Sequence, residues 1–225
     1  MNTERRKLLG LGAVATGALV LGACKRMEEA KEAKDVLPVE DLMREHGVLR
    51  RILLVYDACI LRLETGQDLS PDAFTRAADI VRRFVEDYHE RNEEEQIFPR
   101  FERAHAQEKL VRVLREQHQL GRRFTDEIAA TTHRTLKDEN ASNRLCATIH
   151  QFRHMYEAHA AREDTVLFPD VRKIVSAREY DAMGEQFEDE EKKRFGEGGF
   201  EQIVEQVAAI ERDLGIYDLA TATPS

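Results

Sequence analysis

The sequence predicts an all-α fold: an up-down-up-down four-helix bundle of two repeated helical hairpins, with a C-terminal helical extension. Three observations predict it. Only 12 of 225 residues are Gly and 5 are Pro, while 34% are charged. That is too few turn formers for a many-stranded β protein, and the abundant Glu, Arg, Ala and Leu favour helix. Four long segments then carry apolar residues at helical spacing. Finally, the second pair of segments repeats the first.

Residues 1–23 read as an export signal. Arg5, Arg6 and Lys7 precede an uncharged stretch over 8–23, short of the roughly 20 apolar residues a membrane-spanning helix needs. Leu21-Gly22-Ala23-Cys24 resembles a bacterial lipobox, which implies lipidation of Cys24 and a membrane tie through a lipid anchor. Arg5-Arg6-Lys7-Leu8-Leu9 resembles a twin-arginine signal, with Glu4 where Ser or Thr is common and Leu8 where Phe is common. The expected location is the periplasmic side of the cell envelope, as a lipoprotein. Residues 24–37, mostly charged or Ala, fit a solvated tether. Net charge is −9; Glu4, Arg5, Arg6 and Lys7 sum to +2, so the chain from residue 24 stands at −9 minus +2, or −11. An acidic surface argues against nucleic acid as a partner. Three Cys make no disulfide scaffold.

Residues 38–175 form the expected bundle. Pro38 precedes a helix over 39–64, with Leu42, Leu49, Leu53, Tyr56 and Ile60 on one stripe, ended by Thr65-Gly66. Ser70-Pro71-Asp72 starts the second helix. It is expected to run to about Gln96, where Ile97-Phe98-Pro99 interrupts it. The third spans about 107–131. The fourth starts within 138–143 and reaches Leu167-Phe168-Pro169. Residues 176–225 form the extension: a charged helix over 176–194, a Gly-rich loop over 195–199 and an amphipathic helix over 200–214. Ile203, Val207 and Ile210 share a stripe of that last helix, and the tail from Ala220 is expected to fray.

The repeat carries the chemistry. The stretch from His89 to Pro99 and that from His159 to Pro169 both read H-x-x-x-E-[ED]-x-x-[IL]-F-P, offset by 70 residues. Upstream, His46 with Arg50-Arg51 aligns with His118 and Arg122-Arg123, offset by 72. His and Glu four apart lie on one helix face. Two such pairs, with one His from each remaining helix, bring four imidazoles and two carboxylates to the middle of a bundle. That nitrogen and oxygen mix suits iron, and carboxylates can bridge two ions. Six ligands exceed one tetrahedral zinc but suit two octahedral ions that share carboxylates. The expected metal ligands are His46, His89, Glu93, His118, His159 and Glu163.

On these residues the chain resembles the hemerythrin family, in its HHE cation-binding branch, over about 38–175. The resemblance implies two non-haem Fe ions between the four helices, bridged by the two Glu and an oxo or hydroxo group. It also implies a small diatomic ligand, O2 or NO. Oxygen-carrying hemerythrins have a fifth His, four after the His of the third helix; here that position is Arg122. Asp164, next to Glu163, is an alternative bridging ligand. Fewer His ligands leave room for redox chemistry on peroxide or NO, or for iron delivery and repair. A third expectation is a metal-stabilised scaffold that offers the Ile203 stripe to a partner.

The remaining His lie off the site. His154 is about 140° and His150 about 180° around the helix from His159. His105 and His133 flank the third helix. Tyr156 is on the site's side, as a hydrogen bonder, a redox partner or simple packing. Arg50, Arg51, Arg122 and Arg123 read as solvent-face charges. Cys59 and Cys146 lie at similar heights but should not face one another, so no disulfide is expected. No P-loop, nucleophile elbow or nucleotide-binding Gly motif is present.

Overall fold

The computed structural model describes residues 37–222, with side chains through residue 220. The export signal, Cys24 and residues 24–36 of the tether lie outside the described residues. Among the described residues there is no strand, and no helix is long and apolar enough to cross a membrane.

Four long helices form the bundle. Helix α1 (Pro38–Glu64) carries Pro38 in its first turn, where a missing N–H costs nothing. Helix α2 is one rod of changing pitch. It runs as Asp72–Ile80, a π-helical stretch Val81–His89, a turn Glu90–Asn92, a second π-helical stretch Glu93–Ile97, and Phe98–Arg103. Helix α3 is Glu108–Ala129, entered through Gln107 in the left-handed region at φ 50°. A short helix α4 (His133–Lys137) precedes α5, which runs Glu139–Arg162, a π-helical stretch Glu163–Leu167, and Phe168–Ile174. Helices α1, α2, α3 and α5 pack in a closed ring, each against the next, and α5 against α1.

One expectation about the helices needs correction. Neither Pro99 nor Pro169 ends its helix: the rod continues to Arg103 and to Ile174. Each proline follows a π-helical stretch and opens the next α segment. There the hydrogen-bond register is already changing, and a residue without an N–H is tolerated. The loop before α5 also holds helix α4, set by a capping box in which Thr132 and Thr135 bond each other's backbone N–H at 3.2 Å. At the other end, Leu219–Ala222 forms a 3₁₀ turn, and residues 223–225 of the tail lie outside the described residues.

The extension consists of α6 (Ala177–Phe195) and α7 (Gly199–Asp213). Ser176 and Glu179 cap α6 reciprocally. The Ile203–Val207–Ile210 stripe is buried against α1 and α2, so it is not a free partner-binding face. Arg51 reaches Glu211 with Nε–Oε1 at 2.9 Å, and Arg62 donates to the Leu214 carbonyl at 2.6 Å. Arg51 is thus an anchor for α7 rather than a solvent charge.

The core divides into two apolar clusters. One includes Val48, Ile52, Tyr56, Phe84, Ile128, Ile149 and Phe152, with α7 packed on it. The other includes Leu42, Ile97, Phe98, Phe101, Leu114, Leu167 and Phe168, with Tyr180, Met183 and Phe187 of α6. On every bundle helix the expected metal ligand lies between the residues of one cluster and those of the other. Cys59, buried within the first cluster, and Cys146, packed against it, are both free thiols.

Gly121 of α3 faces Tyr156 of α5 so closely that an added Cβ would lie 2.1 Å from the tyrosine oxygen. Tyr156 is buried, and its hydroxyl is held by a hydrogen bond to Glu90. Gly121→Ala should destabilise the fold by about 1–3 kcal/mol, the usual cost of overpacking. A thermal melt checks this; an unchanged midpoint would mean that the two helices are not in such close contact.

Candidate metal centre

Between the two clusters lies a polar layer. His46 comes from α1, His89 and Glu93 from α2, His118 from α3, and His159 and Glu163 from α5; all six are buried, the two Glu completely. Their inner atoms converge. His46 Nε2 is 3.3 Å and His159 Nε2 3.0 Å from Glu163 Oε2. His89 Nε2 is 3.5 Å from Glu93 Oε1, and His118 Nε2 3.4 Å from Glu93 Oε2. The Nε2 atoms of His118 and His159 face each other at 3.2 Å. Two four-residue sets result, His46–His89–Glu93–Glu163 and His118–His159–Glu93–Glu163. Within each, one potential ligand atom per residue lies within 4.8 Å of the others, and both sets share the two carboxylates.

The outer atoms are tied down. Each imidazole uses its Nδ1 on an acceptor: His46 on Asp164 Oδ1 (2.7 Å), His89 on Glu45 Oε2 (2.6 Å), His118 on Glu94 Oε1 (2.8 Å) and His159 on Gln117 Oε1 (3.0 Å). An Nδ1–H donor leaves Nε2 with its lone pair pointing inward, which is how a metal-binding His is prepared. Phe168 stacks on His46 with ring centres 5.6 Å apart, and Phe98 stacks on His118 at 5.5 Å. The Phe of each Phe-Pro thus covers the lone imidazole of a neighbouring helix.

A test of fit follows from the polar atoms. His46 Nε2 and all four oxygens of Glu93 and Glu163 are buried without a hydrogen-bond partner. Buried polar atoms are rarely left so, and these share one small volume. Imidazole nitrogen and carboxylate oxygen are also a donor set that divalent iron accepts. The residues fit a cation-binding layer.

Comparison with known proteins agrees with the geometry. The family model of the Hemerythrin HHE cation binding domain matches residues 37–171. The chain belongs to the hemerythrin HHE family. Its buried His–Glu layer falls wholly inside the matched segment of this hemerythrin domain. Relatives described as uncharacterized proteins of Mycobacterium tuberculosis and Mycobacterium bovis are 46% identical over 232 residues, covering 98% of this chain and 91% of theirs. That extent takes in the C-terminal helices as well as the bundle. No solved structure matches the chain.

Some expectations around the hemerythrin site change. Asp164 turns outward to His46 and Arg50, away from the position of a bridging ligand. Arg50 and Arg122 are not simple surface charges: Arg122 pairs with Glu90 and Glu94 at 3.0 Å each. Tyr156 donates to Glu90 Oε1 at 2.7 Å, with its ring 5.7 Å from that of His159. His105, His133, His150 and His154 are exposed and off the layer, as the helix angles imply for His150 and His154. Sequence reading did not single out Glu45, Glu94, Gln117 or Glu90. A signal existed for three of them: Glu94 aligns with Asp164 at the 70-residue offset, and Glu45 with Gln117 at 72.

Electrostatics describe the metal-free layer. Burial works against a charged His46, but Asp164 and Glu163 outweigh it and hold the imidazole up to about 9. Burial pushes His118 down to about 4. Burial, reinforced by the nearby Glu163 charge, holds Glu93 well above the usual carboxylate range. Burial would raise Glu163 too, but the imidazoles of His159 and His46 keep it ionised, well below its ordinary value. At neutral pH the layer therefore holds a proton on His46, and burial favours the neutral form of Glu93.

A cation must displace the His46 proton. As pH falls below about 9 that proton competes harder, so affinity should rise with pH between 6 and 8, by about tenfold per unit. Chelator competition at several pH values, with calorimetry in two buffers to count released protons, checks this. Affinity independent of pH would contradict the proton-holding layer.

Proposed function

We propose that this chain is a non-haem di-iron protein that binds or senses a diatomic ligand, O2 or NO, at the cell envelope. One observation carries the reading: two sets of two imidazoles share the same two buried carboxylates. Each set is too lean to fill an octahedral ion, which leaves open positions for an outside ligand. An iron pair, when bound, supplies those open positions and a redox couple.

The chain's own residues do the rest. Asp164, Glu45, Glu94 and Gln117 hold the four imidazoles in one tautomer and orientation. Phe98 and Phe168 keep water from the faces of two of them. The apolar clusters on both sides favour a small, weakly polar ligand over a bulky one. The lipobox-like Cys24 supports attachment to the envelope membrane through a lipid.

A second reading is a di-iron redox enzyme that reduces peroxide or NO, or delivers iron for repair. It is favoured by Arg122, which stands where the oxygen carriers have a fifth His and is engaged instead by Glu90 and Glu94.

The test is purification without air, then iron content and visible absorption before and after O2 or NO. Close to two irons per chain should be found, with a charge-transfer band that changes on adding the gas. Glu93→Gln and Glu163→Gln should each lower iron content at least tenfold. A silent spectrum from an iron-loaded chain would sink the diatomic-ligand reading. Sustained peroxide or NO consumption with a chemical reductant would favour the enzyme.

A further inference from the structure

The repeat that supplies the inner donors also supplies the acceptors behind them, and in that outer ring it breaks at one place. Asp164 behind His46 and Glu94 behind His118 are equivalent. Each is also paired with the Arg four residues after that His, Arg50 and Arg122. Glu45 behind His89 and Gln117 behind His159 occupy equivalent positions too, one before the lone His of α1 and of α3. Yet one is a carboxylic acid and the other an amide.

The difference is categorical. A carboxyl group facing an imidazole N–H polarises it more strongly than an amide does, and so makes the inward nitrogen a stronger donor to a cation. An amide oxygen accepts the hydrogen bond without that charge. Glu90 also lies near these contacts, 4.0 Å from His118 Nδ1. Its oxygens are engaged by Tyr156 and Arg122, so it backs no ligand imidazole directly. The His46–His89 half therefore has two acids behind its imidazoles, and the His118–His159 half has one acid and one amide.

We propose that the two metal positions are unequal by construction: the His46–His89 position takes its ion first and holds it more tightly. The His118–His159 position, backed by Gln117, fills second and empties first. A partly loaded chain then carries its ion in the half formed by α1 and α2. This inference rests on the two-ion reading above.

Cobalt(II) is the probe, because it is not oxidised by air under mild conditions and its visible spectrum reports its ligands. Calorimetry and absorption should show two ions entering the metal-free chain in two steps. Glu45→Gln should weaken the tighter step by about 10–100-fold and leave the weaker one in place. Gln117→Glu should strengthen the weaker step by a similar factor and bring the two together. Gln117 is only partly buried, so its acid variant should fold even if Glu45→Gln does not. Two ions with Gln117→Glu leaving both steps unchanged would overturn the inference and spare the two-ion site. So would Glu45→Gln weakening the later step instead. Fewer than two cobalt ions on the unaltered chain would remove the two-ion site and the inference together.

Discussion

The structure depends on one costly arrangement: six ionisable side chains buried at one level of a helical bundle, with their inner lone pairs aimed at each other. Each buried polar atom without a partner costs about 1–3 kcal/mol. All four oxygens of Glu93 and Glu163 are in that position. The imidazoles of His159 and His46 ease the charge on Glu163, and burial favours a neutral Glu93, which lessens the repulsion. A cation offsets the cost much more fully, since it takes a lone pair from every inward atom. The two apolar clusters pack above and below the layer, and α6 and α7 close over them. The extension thus covers both clusters from outside.

The repeated motif can be read residue by residue against that constraint. The His and Glu of H-x-x-x-E share a face and point inward. The acid after the Glu reaches sideways to the lone His of the adjacent helix, as Asp164 and Glu94 do. At that Glu the helix widens into a π-helical stretch, in the same register in both halves. Such widened turns are frequent at functional sites because they re-aim side chains. The Phe that follows stacks on the same lone His, and the Pro opens the next α segment. Every position of the motif except the variable ones therefore serves the layer.

This explains what could be read in advance. The four bundle helices and the convergence of His46, His89, Glu93, His118, His159 and Glu163 were legible, because helical spacing fixes which residues share a face. The outer ring was harder. Whether Glu45 meets His89, or Gln117 meets His159, depends on how far one helix slides along the next, and spacing within a helix says nothing of that. Arg50, Arg51 and Arg122 read as surface charges for the same reason: their acid partners come from other helices. Pro99 and Pro169 misled because proline usually ends a helix, and a π-helical stretch leaves no simple mark in sequence. The 70- and 72-residue offsets did contain the outer ring, since an approximate twofold must repeat the partners along with the ligands.

The central claim is that the layer holds two ions close together through shared carboxylates. X-ray absorption at the iron edge, on the iron-loaded chain, tests this most directly. A second iron at roughly 3.5–4 Å or somewhat less, with imidazole nitrogen in the first shell of each, is the expected result. A single iron with no metal neighbour at that distance would contradict it, and would make the buried carboxylates a structural device rather than a bridge.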